Sequence, residues 1–346
     1  MDLSIASILA LDGLTNGAVY ALLALATVLL FAVTRVIFIP QGEFVAFGAL
    51  TLALFQAGRV PGTVWFLLAL AAAAAVSDVI DGVRHRRAAK RIAIQVVRTL
   101  AWPVVASAIA IWAAPQNPPL LVQALLTMAL VTPFGSLIYR LAYESLADAP
   151  VLVLLIVSVG VHFALVGLGL FFFGAEGFRN PSFWDARFSA GGLTLSGQAV
   201  IIFLVSLALI AMLWLVFERT LVGKALRATA VNRLGARLMG ISSAGAGRLA
   251  FAMAAFIGAL SGLLIGPTTT IFYDSGFLIG LKGFVAGVIA GLASYPGALI
   301  GALGVGVIES FGSFWASSFK EVIVFTIILP VLLWRSLRSG HSDEEH

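Results

Sequence analysis

The sequence predicts an all-α, polytopic integral membrane protein with about ten to eleven transmembrane helices. Two observations carry this. Of the 346 residues, 61% are hydrophobic and 11% charged, against about 25% charged in a soluble domain. A soluble fold of this length has no interior for so much apolar surface, so the excess must face lipid. The apolar residues also fall into runs close to the roughly 20 residues that a spanning helix needs, and the basic residues gather in a few short stretches between the runs.

The same composition excludes several functions. Cysteine is absent, and His85, His162, His341 and His346 are scattered. Disulfides and thiolate metal sites are therefore excluded, and no metal or cofactor is expected. The net charge of +5 reads as membrane topology, not nucleic-acid binding. Met1-Asp2-Leu3-Ser4 carries no basic leader, so no cleavable signal peptide is expected.

In chain order the candidate spans are 8–31, 42–57, 62–80, 99–114, 120–142, 150–173, 199–217, 249–266, 277–293, 297–315 and 320–334. Segment 42–57 follows Pro40-Gln41-Gly42 and either spans or re-enters. Between the runs, segment 82–98 holds Arg84, Arg86, Arg87, Lys90, Arg91 and Arg98 with no acid. Segment 218–248 holds Arg219, Lys224, Arg227, Arg233, Arg237 and Arg248 against Glu218, and the tail opens with Arg335 and Arg338. If all the runs cross, these regions share one side, which the positive-inside rule makes the cytoplasm. The N-terminus and the charge-balanced 174–198 loop then lie outside.

Glycines recur every fourth residue at Gly258, Gly262 and Gly266, at Gly283, Gly287 and Gly291, and at Gly297 and Gly301. On a helix they form a stripe that lets backbones approach closely. The stripe serves either tight packing or a mobile seam.

Ionisable groups at membrane depth are candidate sites by default. Asn16 and Tyr20 are one turn apart on the first run, Gln41-Gly42-Glu43 opens the second, and Lys282 and Phe284 share Gly280-Leu281-Lys282-Gly283-Phe284. These seven (Asn16, Tyr20, Gln41, Gly42, Glu43, Lys282, Phe284) are predicted to face a substrate path, because polar groups there must find protein or water. Each has a blander reading. Glu43 suits a helix N-terminus, Lys282 and Glu309 can snorkel to an interface, and His162 fits as a packing residue. No phosphate-binding loop, His-Glu-x-x-His or Gly-x-Ser-x-Gly is present, so no catalytic residue is expected.

The stretch from Phe217 to Ile241 reads as two short Ala- and Arg-rich helices, with apolar residues at Leu221, Ala225, Ala228, Leu234, Leu238 and Ile241. Such a piece lies on a membrane or docks into a groove of a partner. It resembles the cytoplasmic coupling loop of the branched-chain amino acid ABC transporter permeases, the LivH/LivM type. Three further regions resemble that family in order. They are Asn16-Gly17-Ala18-Val19-Tyr20 with Gly42-Glu43-Phe44; Tyr139-Arg140-Leu141-Ala142-Tyr143; and Gly280 to Leu292 with Tyr295-Pro296-Gly297-Ala298 and Gly306-Val307-Ile308-Glu309. The chain departs from the family at Phe38-Ile39-Pro40-Gln41, where Asn-Phe-Ala-His is usual, and at 61–119, which looks like a two-helix insertion around a basic loop.

The resemblance implies one permease domain over 1–346 in a bacterial inner membrane, with its N-terminus outside and C-terminus cytoplasmic. It would import branched-chain or other hydrophobic amino acids by alternating access. The implied partners are a second permease subunit in a homo- or heterodimer, two cytosolic ATP-binding subunits, an extracytoplasmic solute-binding protein and membrane lipid. The coupling residues would be Gly223, Lys224, Arg227, Arg233, Arg237, Leu238 and Gly240, with the two glycines supplying turns. An ion-coupled carrier is the competing reading and needs buried carboxylates; Glu43, Glu309 and Asp274 are available. An intramembrane enzyme would need a catalytic cluster that these residues do not assemble. The short match between Glu43-Phe44-Val45-Ala46 and Gly283-Phe284-Val285-Ala286 hints at two half-helices related by a pseudo-two-fold.

Overall fold

The computed structural model describes residues 3–86, 88–190, 193–292, 294–327, 329–331 and 333. Arg87 and the tail with Arg335, Arg338, His341 and His346 lie outside the described residues. The helices are α1 (Leu3–Thr34), α2 (Glu43–Gln56), α3 (Gly62–Arg84), α4 (Ala89–Ala113), α5 (Leu120–Ile138), α6 (Val151–Phe173), α7 (Gly197–Arg219), α8 (Leu221–Val231), α9 (Arg233–Leu238), α10 (Ser243–Ile265), α11 (Ser275–Ile289), α12 (Tyr295–Trp315) and α13 (Lys320–Thr326). A small antiparallel hairpin, β1 (Arg187–Ala190) and β2 (Leu193–Ser196), precedes α7.

Local chemistry sets the boundaries. Pro61, Pro119 and Pro150 stand just before α3, α5 and α6, where a missing N–H and a fixed φ cost nothing. Thr220, Asn232, Ser242 and Ser294 each accept the backbone N–H three residues on, at 3.0, 2.9, 3.1 and 3.2 Å, and so cap α8, α9, α10 and α12. At the end of α5 the chain widens into a π-helical turn at Tyr139–Tyr143. Both tyrosines there are buried against Phe251, at 4.9 and 5.1 Å between ring centroids.

Among the described residues, eight helices are long and apolar enough to cross a membrane: α1, α3, α4, α5, α6, α7, α10 and α12, with α4 and α5 each running on through a final turn. Two of the other three predicted spans are helical but short. α2 has 14 residues and α11 has 15, about 21 and 22 Å, against a hydrocarbon core of about 30 Å. The third, 320–334, opens with α13 and runs on into positions outside the described residues. The N-terminal ends of α2 and α11 meet, with Gly42 packed on Gly276 and Gly280 so closely that neither side has room for a Cβ. Glu43 opens α2 whereas Gly283 lies in the middle of α11, so the short sequence match does not align the two helices end to end.

Close backbone approach explains part of the glycine stripes: a Cβ on Gly262 would press into the Val45 carbonyl and one on Gly301 would sit 3.0 Å from the Ala286 carbonyl oxygen, whereas Gly266, Gly287 and Gly297 meet side chains first. A Cβ on Gly48 of α2 would sit 2.6 Å from the Ala259 carbonyl oxygen of α10, and one on Gly306 of α12 would sit 2.6 Å from Gly17 Cα of α1. α1 is accordingly buried along most of its length, while α4, α6 and α7 turn large apolar side chains outward. Residues 61–119 form the α3–α4 hairpin, anchored to α5 where Arg140 meets the buried Asp78 carboxylate. Gln95 and Thr99 of α4 donate to the same carboxylate at 2.5 and 2.8 Å.

The polar connections gather the loops at two ends. At one, Arg233 donates to the Ala147 carbonyl at 2.7 Å and the Thr34 carbonyl at 3.3 Å, and Arg248 grips Glu144 at 2.6 and 2.7 Å. The end of α1, the α5–α6 loop and α8–α9 therefore share this end, and the Asp78–Arg140 pair adds the α3–α4 loop. At the other, Asn180 donates to the Ala49 carbonyl at 3.1 Å and Arg179 to the Pro267 carbonyl at 2.9 Å, folding the 174–198 loop over α2 and α10. The described basic stretches thus lie together, opposite the 174–198 loop.

Candidate functional site

Two buried polar groups and one exposed face stand out. The first group joins four helices. Tyr20 of α1 donates to Glu309 of α12 at 2.7 Å, Lys282 of α11 donates to the other Glu309 oxygen at 2.5 Å, and Lys282 also reaches Glu321 of α13 at 3.1 Å. The Lys282 ammonium lies 5.7 Å from the centre of the Tyr20 ring. Lys282 is 4% exposed and Glu309 8%, so neither snorkels. A buried ammonium is tolerated because carboxylates face it and its hydrogen bonds are satisfied.

The second group sits where α2 and α11 meet. Glu43 is buried, and His162 Nδ1 of α6 lies 3.1 Å from one of its oxygens. The His162 ring stacks on Phe277 with centroids 4.8 Å apart. Gln41 donates from Nε2 to the Ala254 carbonyl at 3.0 Å, while its buried Oε1 has no partner among the described residues. Neither short helix has a side-chain cap on its first turn, so the positive ends of two helix dipoles converge here, although the Glu43 and Ser275 N–H groups already donate to the Pro40 and Phe272 carbonyls.

Beside this junction is a cavity of about 310 Å³, lined by Thr27, Ile37, Phe38, Ile39, Gln41, Leu155, Phe277, Gly280, Leu281 and Phe284. Its wall is apolar apart from the Gln41 amide and the Thr27 hydroxyl, and the latter donates back to the Leu23 carbonyl at 2.9 Å. A cavity of this size and character suits a small, mainly apolar ligand with one polar end.

The seven predicted path residues divide accordingly. Gln41, Gly42, Glu43 and Phe284 gather at the α2–α11 junction and its cavity. Tyr20 and Lys282 belong to the Glu309 network. Asn16 is half-buried on α1 and makes no side-chain bond to either group among the described residues.

The exposed face is on α8 and α9. Val231, Leu234, Leu238 and Met239 are between 68% and 86% exposed, an apolar row that no described residue covers. Lys224 is also exposed. The arginines instead bind within the chain: Arg227 to Glu218 at 2.7 Å, Arg233 as above, and Arg237 to Asp148 at 3.2 Å and to Ser243 at 2.6 Å. Gly240 turns the chain with φ of 82°. Gly223 has no such turn; it lies inside α8, where a Cβ would press into the Val216–Phe217 backbone.

A family model described as "Branched-chain amino acid transport system / permease component" matches residues 92–332. The chain belongs to this permease family. Among its relatives is the high-affinity branched-chain amino acid transport system permease protein BraD of Pseudomonas aeruginosa, 31% identical over 209 residues, which are 58% of this chain and 68% of that protein. LivH of Escherichia coli strain K12, a permease protein of the same description, is 31% identical over 216 residues, 60% of this chain and 69% of LivH. LivH of Salmonella typhimurium is 32% identical over 210 residues, 58% and 67% of the two chains.

Within this permease, the family match begins inside α4 and takes in every residue of the Lys282 network except Tyr20. Sequence reasoning missed three partners: His162 for Glu43, Glu321 for Lys282, and the 144–149 loop for Arg233 and Arg237. Only the first carried a signal, a lone histidine in an otherwise apolar run.

Proposed function

We propose that this permease is the membrane subunit of an ABC importer for branched-chain or other hydrophobic amino acids. The observation that carries the proposal is the apolar cavity beside the junction of α2 and α11. An amino acid has two charged ends and an apolar side chain. Uncapped helix N-termini attract its carboxylate, the unpartnered Gln41 Oε1 and the adjacent Glu43 suit its ammonium, and Phe38, Phe277, Leu281 and Phe284 supply an apolar wall. At least part of the helix junction must open and close for transport, and close glycine packing provides two discrete arrangements rather than continuous bending.

ATP would be consumed by two cytosolic subunits docked on the exposed α8–α9 row. A second permease chain, identical or different, would complete the path, and an external binding protein would deliver the solute at the 174–198 end. The bacterial inner membrane, with the basic end cytoplasmic and the N-terminus outside, is the setting this requires. The α3–α4 hairpin is read as an addition to a permease domain spanning the whole chain.

One observation favours an ion-coupled carrier instead: Glu43 and Glu309 are buried carboxylates with titratable neighbours. Uptake into proteoliposomes separates the two readings. The ABC reading requires internal ATP and the partner subunits, and tolerates ionophores. The carrier reading requires an ion gradient and this chain alone.

A further inference from the structure

At the basic end, between α4, α5 and α10, two continuous cavities of about 520 and 500 Å³ share Arg98, Thr99, Arg140 and Arg248. The second adds Arg91, Ile94 and Gln95. Four guanidinium groups therefore face one space. Two are balanced: Arg140 by the buried Asp78, and Arg248 by Glu144 through a paired contact. Among the described residues neither Arg91 nor Arg98 has a carboxylate partner, so two of the four guanidinium groups are left without a counter-charge there.

The other half of the space is apolar. Trp102, Pro103, Met128, Pro133, Leu137 and Phe256 line it. Trp102 is 57% exposed and donates from its indole N–H to the Ala129 carbonyl at 3.3 Å, which fixes the ring at the mouth. Arg98 and Trp102 are one turn apart on α4, so charge and ring follow each other along one helix face. On α4 and α5, Val97, Val105 and Leu125 are exposed apolar side chains.

A cationic pocket that continues into an apolar groove matches the charged head and apolar chains of a phospholipid. We infer that the α4–α5–α10 cavity binds an anionic phospholipid, with its phosphate on Arg98 and Arg91 and an acyl chain along Trp102, Met128 and Phe256. Basic pockets between helices at the cytoplasmic side recognise such headgroups. A soluble anion would use the arginines but would gain nothing from the apolar half, so lipid is the occupant that accounts for both. Because α4 belongs to the hairpin and α10 to the family-matched region, a lipid here would clamp the one to the other. This requires only that the chain sits in a membrane and holds whatever it transports.

The test is native mass spectrometry of the purified full chain, titrated with palmitoyl-oleoyl phosphatidylglycerol or with the phosphatidylcholine of the same chains. Phosphatidylglycerol should bind at least tenfold more tightly. Arg98→Gln and Arg91→Gln should each weaken it about fivefold, with melting temperatures unchanged in lipid-free detergent. Trp102→Leu should weaken both lipids alike. Equal binding of the two lipids would overturn the inference, as would wild-type phosphatidylglycerol binding in both arginine variants. Displacement of the lipid by millimolar inorganic phosphate would also overturn it, by marking the pocket as a free-anion site. If Arg98→Gln fails to fold, the Arg91→Gln comparison decides.

Discussion

The Lys282 ammonium of α11 donates to the Glu309 carboxylate of α12 at 2.5 Å with both side chains buried. The pair lies where α1, α11, α12 and α13 converge, and Tyr20 and Glu321 complete it. Removing one partner of such a pair strands the other, which costs about 3–5 kcal/mol. Lys282→Met should therefore lower the melting temperature of the detergent-purified protein sharply, followed by tryptophan fluorescence. Glu309→Gln should cost less, since the amide oxygen still accepts from Tyr20. The double variant should be more stable than the sum of the two single effects predicts. Additive effects would mean that the two groups do not depend on each other.

The Gln41 amide is predicted to contact substrate. Gln41→Leu keeps the volume, loses the donor to the Ala254 carbonyl and removes the free acceptor. A hydrogen bond to a charged group contributes about 1.5–3 kcal/mol, so apparent affinity for leucine should fall at least tenfold while the amount of protein in the membrane holds. Radiolabelled leucine uptake measures this. Unchanged uptake would remove the cavity from the path.

Phe284→Ala should enlarge the same cavity without touching its polar end. The expected result is a shift in preference from leucine and valine toward aromatic amino acids, read by competition against labelled leucine. An equal loss for every amino acid would indicate damaged helix packing instead.

On α8 and α9 the proposed coupling residues fall into an exposed apolar row and arginines bound within the chain. Leu238 is 79% exposed, so Leu238→Asp should leave the fold intact and abolish ATPase co-purification. Arg233 instead ties α9 to the α1 end and the 144–149 loop. Arg233→Ala should keep the ATPase bound but uncouple hydrolysis from uptake. If the two variants behaved alike, the apolar row would not be the docking surface.

Sidedness is open to a clean test because native cysteine is absent. Ala186→Cys in the loop before β1 should react with an impermeant maleimide in intact cells, and Ala88→Cys between α3 and α4 only after permeabilisation. The reverse pattern would invert the orientation.

The helices were legible because lipid demands long apolar runs, and each of the eleven predicted runs contains a helix. Their lengths were harder to read: α11 looks like a span and 42–57 either spans or re-enters, whereas the helices have 15 and 14 residues and meet where Gly42 packs on Gly276, a contact between residues far apart in sequence. For the same reason Lys282 reads as a path residue or an interface residue and Glu309 as an interface residue, since each partner lies on a different helix. In the 217–241 stretch spacing picked out Leu234 and Leu238 of the exposed row but not Val231 or Met239, and Ala225, Ala228 and Ile241 are partly buried; the partners of Arg233 and Arg237 lie in a loop about ninety residues away. Gly223 shows the limit of reading glycine as a turn; what matters there is room for the Val216–Phe217 backbone.

The central claim, an ATP-driven path for hydrophobic amino acids through this chain, is tested most directly by reconstitution. Proteoliposomes holding the permease with its partner permease and ATPase subunits, loaded with ATP and supplied with the binding protein, are given labelled leucine. Leucine should accumulate, continue to do so when ionophores collapse all ion gradients, and stop when internal ATP is replaced by a non-hydrolysable analogue. Accumulation driven by an ion gradient in vesicles holding this chain alone, without ATP, would contradict the account.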